Sequence, residues 1–215
     1  MKSTKQNRVT PFGTIIATPE RGLFMGNRGI LHNDRQEIVT PYVSKAWIIC
    51  RLHFKGRKRT LMSPGSYTEL FFLDEATALA AGHRPCYECH REKALAFRAA
   101  WQKAHGRPDE KPLKMRNIDA ILHDERLTPG RIKKNRSQQT YTAVYDTLPN
   151  GAFISVEKRP FLIWNGLLFP WSPGGYENPI PLSSHEQVIV LTPASTVRVL
   201  THGYAPVVHD SASIS

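Results

Sequence analysis

The feature that most narrows what this chain can become is Cys86-Tyr87-Glu88-Cys89, two thiols at C-x-x-C spacing between Arg84-Pro85 and a helix-like run. Two thiolates so spaced on a turn can face one cation, each sulfur about 2.3 Å from it. That pair is half of a tetrahedral site, and Cys50 is the only other cysteine in 215 residues. Three cysteines are an odd number and too few for a disulfide framework, so metal binding or a free thiol accounts for them better. Two alternatives stand beside the metal: a buried free Cys50, and a redox pair at 86 and 89. The redox reading expects a βαβ pattern upstream, which the Gly82-His83-Arg84-Pro85 approach does not supply.

Around this motif the chain reads as α+β: a zinc-stapled small α/β module, then a linking helix, then a β-rich C-terminal region. Residues 1–21 are polar and proline-punctuated, a loose lead-in. The module spans 22–107. It contains a Gly-rich turn at Gly26-Asn27-Arg28-Gly29 and a strand at about 46–54, where Ile48, Cys50, Leu52 and Phe54 alternate with Trp47, Ile49, Arg51 and His53. A short helix runs from Asp74 to Gly82, acidic at its start and glycine-closed at its end, and a longer one covers about 90–105. Residues 108–139 hold the linking helix, with Met115, Ile118, Ile121 and Leu122 at helical spacing, and the basic loop Arg131, Lys133, Lys134, Arg136. From 140 to 215, runs such as YTAVYDTL, RPFLIWNGLLFPW and VIVLTPASTVRVL read as strands broken by Pro and Gly.

Lys plus Arg number 29 against 18 acidic residues, a net charge of +11 with pI near 9.8, which favours polyanionic partners and above all nucleic acid. No stretch approaches the roughly 18 to 20 apolar residues of a membrane span, and MKSTKQNRVT lacks the apolar segment of a secretory signal, so a cytoplasmic location is expected. There is no phosphate-binding lysine motif, dinucleotide fingerprint or G-x-S-x-G elbow.

The stretch FFLDEATALAAGHRPCYECHR, 71–91, resembles the end of the zinc domain of Ada-type DNA alkylation-repair proteins, with Trp47-Ile48-Ile49-Cys50-Arg51 similar to the strand bearing that family's first zinc cysteine. The likeness covers 46–91. It implies zinc at Cys50, Cys86 and Cys89, DNA as partner, and methyl acceptance from alkylated phosphotriesters at Cys50. The family's fourth cysteine falls where this chain has Phe54.

A histidine is the natural replacement, because neutral imidazole completes a Cys3His site. His32, on the Gly-rich segment, and His53, beside Phe54, are the two candidates; His53 qualifies only if the strand turns there, since three residues along a strand reverse the face. His83 and His90 flank the knuckle less favourably. Lys55, Arg57, Lys58, Arg59, Arg84 and Arg91 gather near these cysteines in sequence, and such a cluster either positions a phosphate backbone or is a solvated face. Asp119 and His123 share a helix face at i and i+4 and are the candidate catalytic pair if the protein is an enzyme on nucleic acid; an ordinary amphipathic surface is the simpler account of them. The rings of Phe161, Trp164, Phe169, Trp171 and Tyr176 fit base stacking or core packing. A zinc-stabilised protein-interaction module is the remaining reading.

Overall fold

A computed structural model describes residues 4–56, 60–106, 109–181 and 185–213. Among these residues, two six-stranded sheets and four α-helices make up a mixed α+β fold. The first sheet contains β1 (Gln6–Val9), β2 (Ile15–Ala17), β3 (Phe24–Asn27), β4 (Ile48–Arg51), β5 (Leu70–Phe72) and β6 (Arg84–Pro85), in the order β2-β1-β5-β3-β4-β6. It is mixed: β1 lies parallel to β5 and β4 parallel to β6, the other pairs being antiparallel. The second, in the order β11-β10-β9-β8-β12-β7, is wholly antiparallel. Its strands are β7 (Tyr141–Val144), β8 (Phe153–Val156), β9 (Arg159–Trp164), β10 (Leu167–Ser172), β11 (Gly175–Tyr176) and β12 (Gln187–Val190). No helix among the described residues is long and apolar enough to cross a membrane.

The lead-in is not loose. Residues 6–17 form a hairpin whose first strand pairs with β5, and Val9 and Ile15 are buried in the main core. Short strands with only two inward apolar residues carry little sequence signal, and here the sheet edge supplies the order.

The short helix α1 (Glu75–Ala80) begins as its sequence prescribes, with the Asp74 carboxylate accepting from the Thr77 N–H at 2.8 Å. Every residue of α1 is buried, because the helix sits between β5 and β8 and so joins the two sheets. Helix α2 (Arg91–His105) buries Ala94, Phe97, Ala100, Trp101 and Ala104 along one face; fully burying a ring such as Phe97 contributes about 1.5–3 kcal/mol. Helix α3 (Met115–Arg126) follows.

The segment PASTVRVL corrects the strand reading: it is helix α4 (Ala194–Thr201). Its β-branched residues disfavour a helix only weakly. The fold overrides them by packing α4 on α2 and α3: Arg198 donates to the Ala104 carbonyl of α2 at 3.0 Å, and the Glu125 carboxylate of α3 accepts from the Ser195 N–H at 3.1 Å. One apolar cluster runs from Val9 through Ile49, Phe97 and Ile154 to Tyr204, drawing on both sheets and on α1 to α4.

Candidate metal centre

Strand alternation builds the thiol site. In the β3–β4 pairing Met25 lies opposite Cys50 and Asn27 opposite Ile48, so these four share one face, while Phe24, Gly26 and Ile49 face the core. Gly26 permits the close approach, since a Cβ there would stand 2.1 Å from the Ile48 carbonyl oxygen. On the other side of β4 the parallel partner β6 pairs Ile48 with Arg84 and Ile49 with Pro85, and the Cys86 N–H then donates to the Ile49 carbonyl at 2.8 Å. Cys86 thereby arrives beside Cys50, and the turn into α2 returns Cys89 to the same point. The sulfurs of Cys50, Cys86 and Cys89 all lie within 4.8 Å of one another, each residue being buried.

The electrostatics are those of a thiolate nest. Hydrogen bonds from the Cys50 and Cys89 thiols, with backbone N–H groups of Cys89 and Glu88 aimed at its sulfur, hold Cys86 well below the ordinary thiol range. Cys50 is pushed far up by the same neighbours and by burial. Three sulfurs this close bear only one negative charge without a cation, whereas a divalent ion among them stabilises all three as thiolates. Three soft, buried donors converging from two segments, with turn N–H groups directed at the sulfurs, fit a thiophilic ion such as zinc.

A cavity of about 400 Å³ opens over the sulfurs, walled by Met25, Phe54, Leu61, Tyr67 and Phe71 and carrying His53 and Glu69. The chain bends at Leu52–His53, so His53 reaches the cavity side that an unbroken strand would have denied it, and it is exposed there. It does not join the three sulfurs at ligand spacing. His32 is elsewhere: its Nδ1 is 2.7 Å from the Thr68 hydroxyl and its Nε2 3.2 Å from the Ser63 carbonyl, so both ring nitrogens are engaged. His83 is buried and accepts from Arg28 Nε at 3.2 Å, and His90 packs on Phe24. Glu69 escaped notice in the sequence. One of its oxygens accepts from the Met62 N–H at 2.8 Å, and the other is buried with no hydrogen-bond partner.

The cationic candidates divide. Lys55 and Arg91 are exposed beside the site, over the rings of Phe54 and Tyr87. Arg57, Lys58 and Arg59 lie outside the described residues. Arg84 is no surface cation: it is buried and bidentate to Asp119, at 2.9 and 2.8 Å. The same contact corrects the reading of Asp119 as catalytic, because both its oxygens are committed to Arg84. His123 is no nearer to chemistry, its Nδ1 and Nε2 each lying 3.3 Å from a guanidinium, of Arg126 and Arg136 respectively. Burial, then those two cations, lower its pKa to about 4. Of the C-terminal rings, Phe161, Phe169 and Tyr176 are core, and Trp171 donates to the Thr77 hydroxyl at 3.2 Å.

No protein-family model, curated protein or solved structure matches this chain.

Proposed function

We propose that this chain is a zinc-binding, nucleic-acid-binding protein, with DNA the favoured target, in which Cys50, Cys86 and Cys89 hold the ion and the cations around it meet the phosphate backbone. The observation that carries the reading is the convergence of three buried sulfurs within 4.8 Å. The ion ties β4 to the turn before α2, so it contributes folding free energy directly and fixes the neighbouring Arg51, Lys55 and Arg91 in one locality. Those three are exposed, and the net charge of +11 favours a polyanion over a protein partner. The local likeness to the Ada-type zinc module supports DNA, in repair or processing. Fluorescence anisotropy with labelled duplex and single-stranded DNA, in salt from about 50 to 200 mM, tests it. Affinity that falls steeply with salt, with a slope smaller by about one after Lys55→Ala or Arg91→Ala, is the expected result. Binding insensitive to salt, or none, overturns it.

A second reading, an enzyme on nucleic acid, is favoured by the cavity over the sulfurs and by the unpartnered oxygen of Glu69 that lines it. An ion with three protein ligands supplies Lewis acidity at its fourth position. Glu69 is the carboxylate in the wall of that cavity. Glu69→Gln separates the two readings: an enzyme loses turnover of its nucleic-acid substrate while metal content and DNA affinity persist, whereas a binding protein shows no turnover in either form and keeps its metal and affinity.

A further inference from the structure

A second cavity, about 820 Å³, is lined by Arg28, Arg126, Lys134, Arg136 and Lys158 beside Trp47. Among the described residues, no carboxylate lines it. Five cations around one space repel one another; Asp119 offsets this in part at Arg126, and an anion that enters relieves the rest.

The two deepest are held by the fold. The guanidinium carbons of Arg28 and Arg126 stand 3.9 and 4.0 Å from the centre of the Trp47 ring. Arg28 is 2% exposed; its Nε donates to His83 and its Nη1 to the Gly13 carbonyl at 3.1 Å, while Nη2 is buried with no partner. Nε of Arg126 is likewise buried and unpartnered. Burial, and then their mutual repulsion in the case of Arg28, lower both to about 9, a cost the folded chain bears in order to keep two charges there. Each guanidinium keeps one N–H for an anion, Nη2 of Arg28 and Nε of Arg126, since Nη1 and Nη2 of Arg126 donate to the Gly82 and Lys45 carbonyls.

A second orphaned atom narrows the ligand. Gln138, which lines the same cavity, spends its amide N–H groups on the carbonyls of Pro11, Ala80 and Leu191, which fixes the orientation of the amide and leaves its Oε1 buried without a partner. An unpaired donor and an unpaired acceptor on one cavity call for a ligand bearing both an anion and an N–H or O–H group. The volume is in the range of sites for small organic molecules, several times the room one phosphate needs.

We propose that this cavity binds a phosphate ester of nucleotide size, its phosphates on Arg28, Arg126 and the two lysines and its hydroxyl or amino groups on Gln138. Its source is either a free nucleotide or the 5′-phosphorylated end of a nucleic acid strand. The site is built without the thiols and stands whether or not they hold metal.

Isothermal titration calorimetry on the full chain at low salt tests it with four probes: inorganic pyrophosphate, a nucleoside diphosphate, a 5′-phosphorylated trinucleotide and its 5′-hydroxyl counterpart. Saturable binding of the nucleoside diphosphate, tighter than pyrophosphate, is expected to weaken at least tenfold in Arg28→Gln. Should that variant not fold, Lys134→Ala with Lys158→Ala, both substituted at exposed or rim positions, is expected to weaken it at least fivefold with an unchanged melting temperature. A phosphorylated trinucleotide that binds tenfold tighter than both its hydroxyl counterpart and the diphosphate assigns the strand end, and the reverse order assigns the free nucleotide. Absence of saturable binding by every phosphorylated probe overturns the proposal, as does binding that the double lysine variant leaves within twofold. Cys86→Ser, if it remains folded, leaves this affinity intact, which keeps the failure of the thiol site distinct from the failure of this one.

Discussion

Replacing Asp119 by alanine removes both acceptors of the Arg84 guanidinium and leaves that charge in a site where each partner's side chain is only 8% exposed. Breaking a buried pair from one side costs about 3–5 kcal/mol, because the remaining ion keeps its desolvation penalty and loses its compensation. The neighbourhood pushes toward the upper part of that range: Asp119 also supports Arg126, whose own cationic form burial opposes. At about 2–4 °C per kcal/mol for a chain of this size, the melting temperature falls by roughly 6–20 °C. Arg84 does leave one hydrogen bond in place, to the Pro85 carbonyl at 3.0 Å, so the loss stops short of the full desolvation of a bare ion. The assay is urea and thermal denaturation followed by circular dichroism, with Asp119→Ala compared with Asp119→Leu combined with Arg84→Met. The double variant is expected to recover most of the loss, since an apolar pair of similar volume replaces an ion pair at little or no cost. A single variant within about 1 kcal/mol of wild type refutes the buried-pair account and returns Asp119 to the list of catalytic candidates.

Stability depends on pH through the buried histidines. His83 and His123 are neutral in the fold, both with lowered pKa values, through burial first and then through arginines. Unfolded, each binds a proton near pH 6.5, so below that pH the unfolded chain holds more protons and stability falls as pH falls. For His123 the loss runs from about 6.5 down to about 4, at up to roughly 1.4 kcal/mol per pH unit, and urea midpoints between pH 5 and 6.5 that His123→Gln leaves equally steep contradict it. Asp74→Ala removes the cap of α1 together with the acceptor of the Tyr176 hydroxyl at 2.7 Å and of the His209 N–H at 3.0 Å; a loss of about 2–4 kcal/mol, with faster proteolysis around residues 205–213, is expected. Gly82→Ala forces a Cβ to within 2.6 Å of the Arg126 side chain at a backbone φ of +81°, so it should destabilise by more than 1 kcal/mol and shift the fluorescence of Trp47, on which Arg126 lies.

What the sequence showed and what it concealed divide along the distance between partners. The thiol triad was legible because two of its members are three residues apart and only one other cysteine exists to join them. The caps of α1 and the stripe of α2 were legible for the same reason, both being local patterns. Arg84 was misread as a surface cation because a run of basic residues is visible in sequence whereas its carboxylate is 35 positions away. His32 looked like a ligand until its bonds to Thr68 and Ser63, on a loop more than 30 residues on, filled both nitrogens. The cationic cavity was the least legible feature of all. Arg28, Arg126 and Lys158 lie far apart in sequence, and only the packing of the fold around Trp47 brings them to one space. Lys134 and Arg136, from a run noted for its charge, join them there. Of the glycines beside Arg28, Gly26 lets two strands approach and Gly29 turns the chain at a φ of +106°.

The central claim is that Cys50, Cys86 and Cys89 hold one metal ion, and elemental analysis of the purified protein beside Cys86→Ser tests it most directly. The account predicts one zinc per wild-type chain, lost in the variant, and on exchange for cobalt an absorption spectrum with thiolate-to-metal charge transfer and tetrahedral d–d bands. A wild-type chain that folds fully, carries no metal and takes up no cobalt would contradict it, and would leave the three thiols as a buried cluster without a ligand.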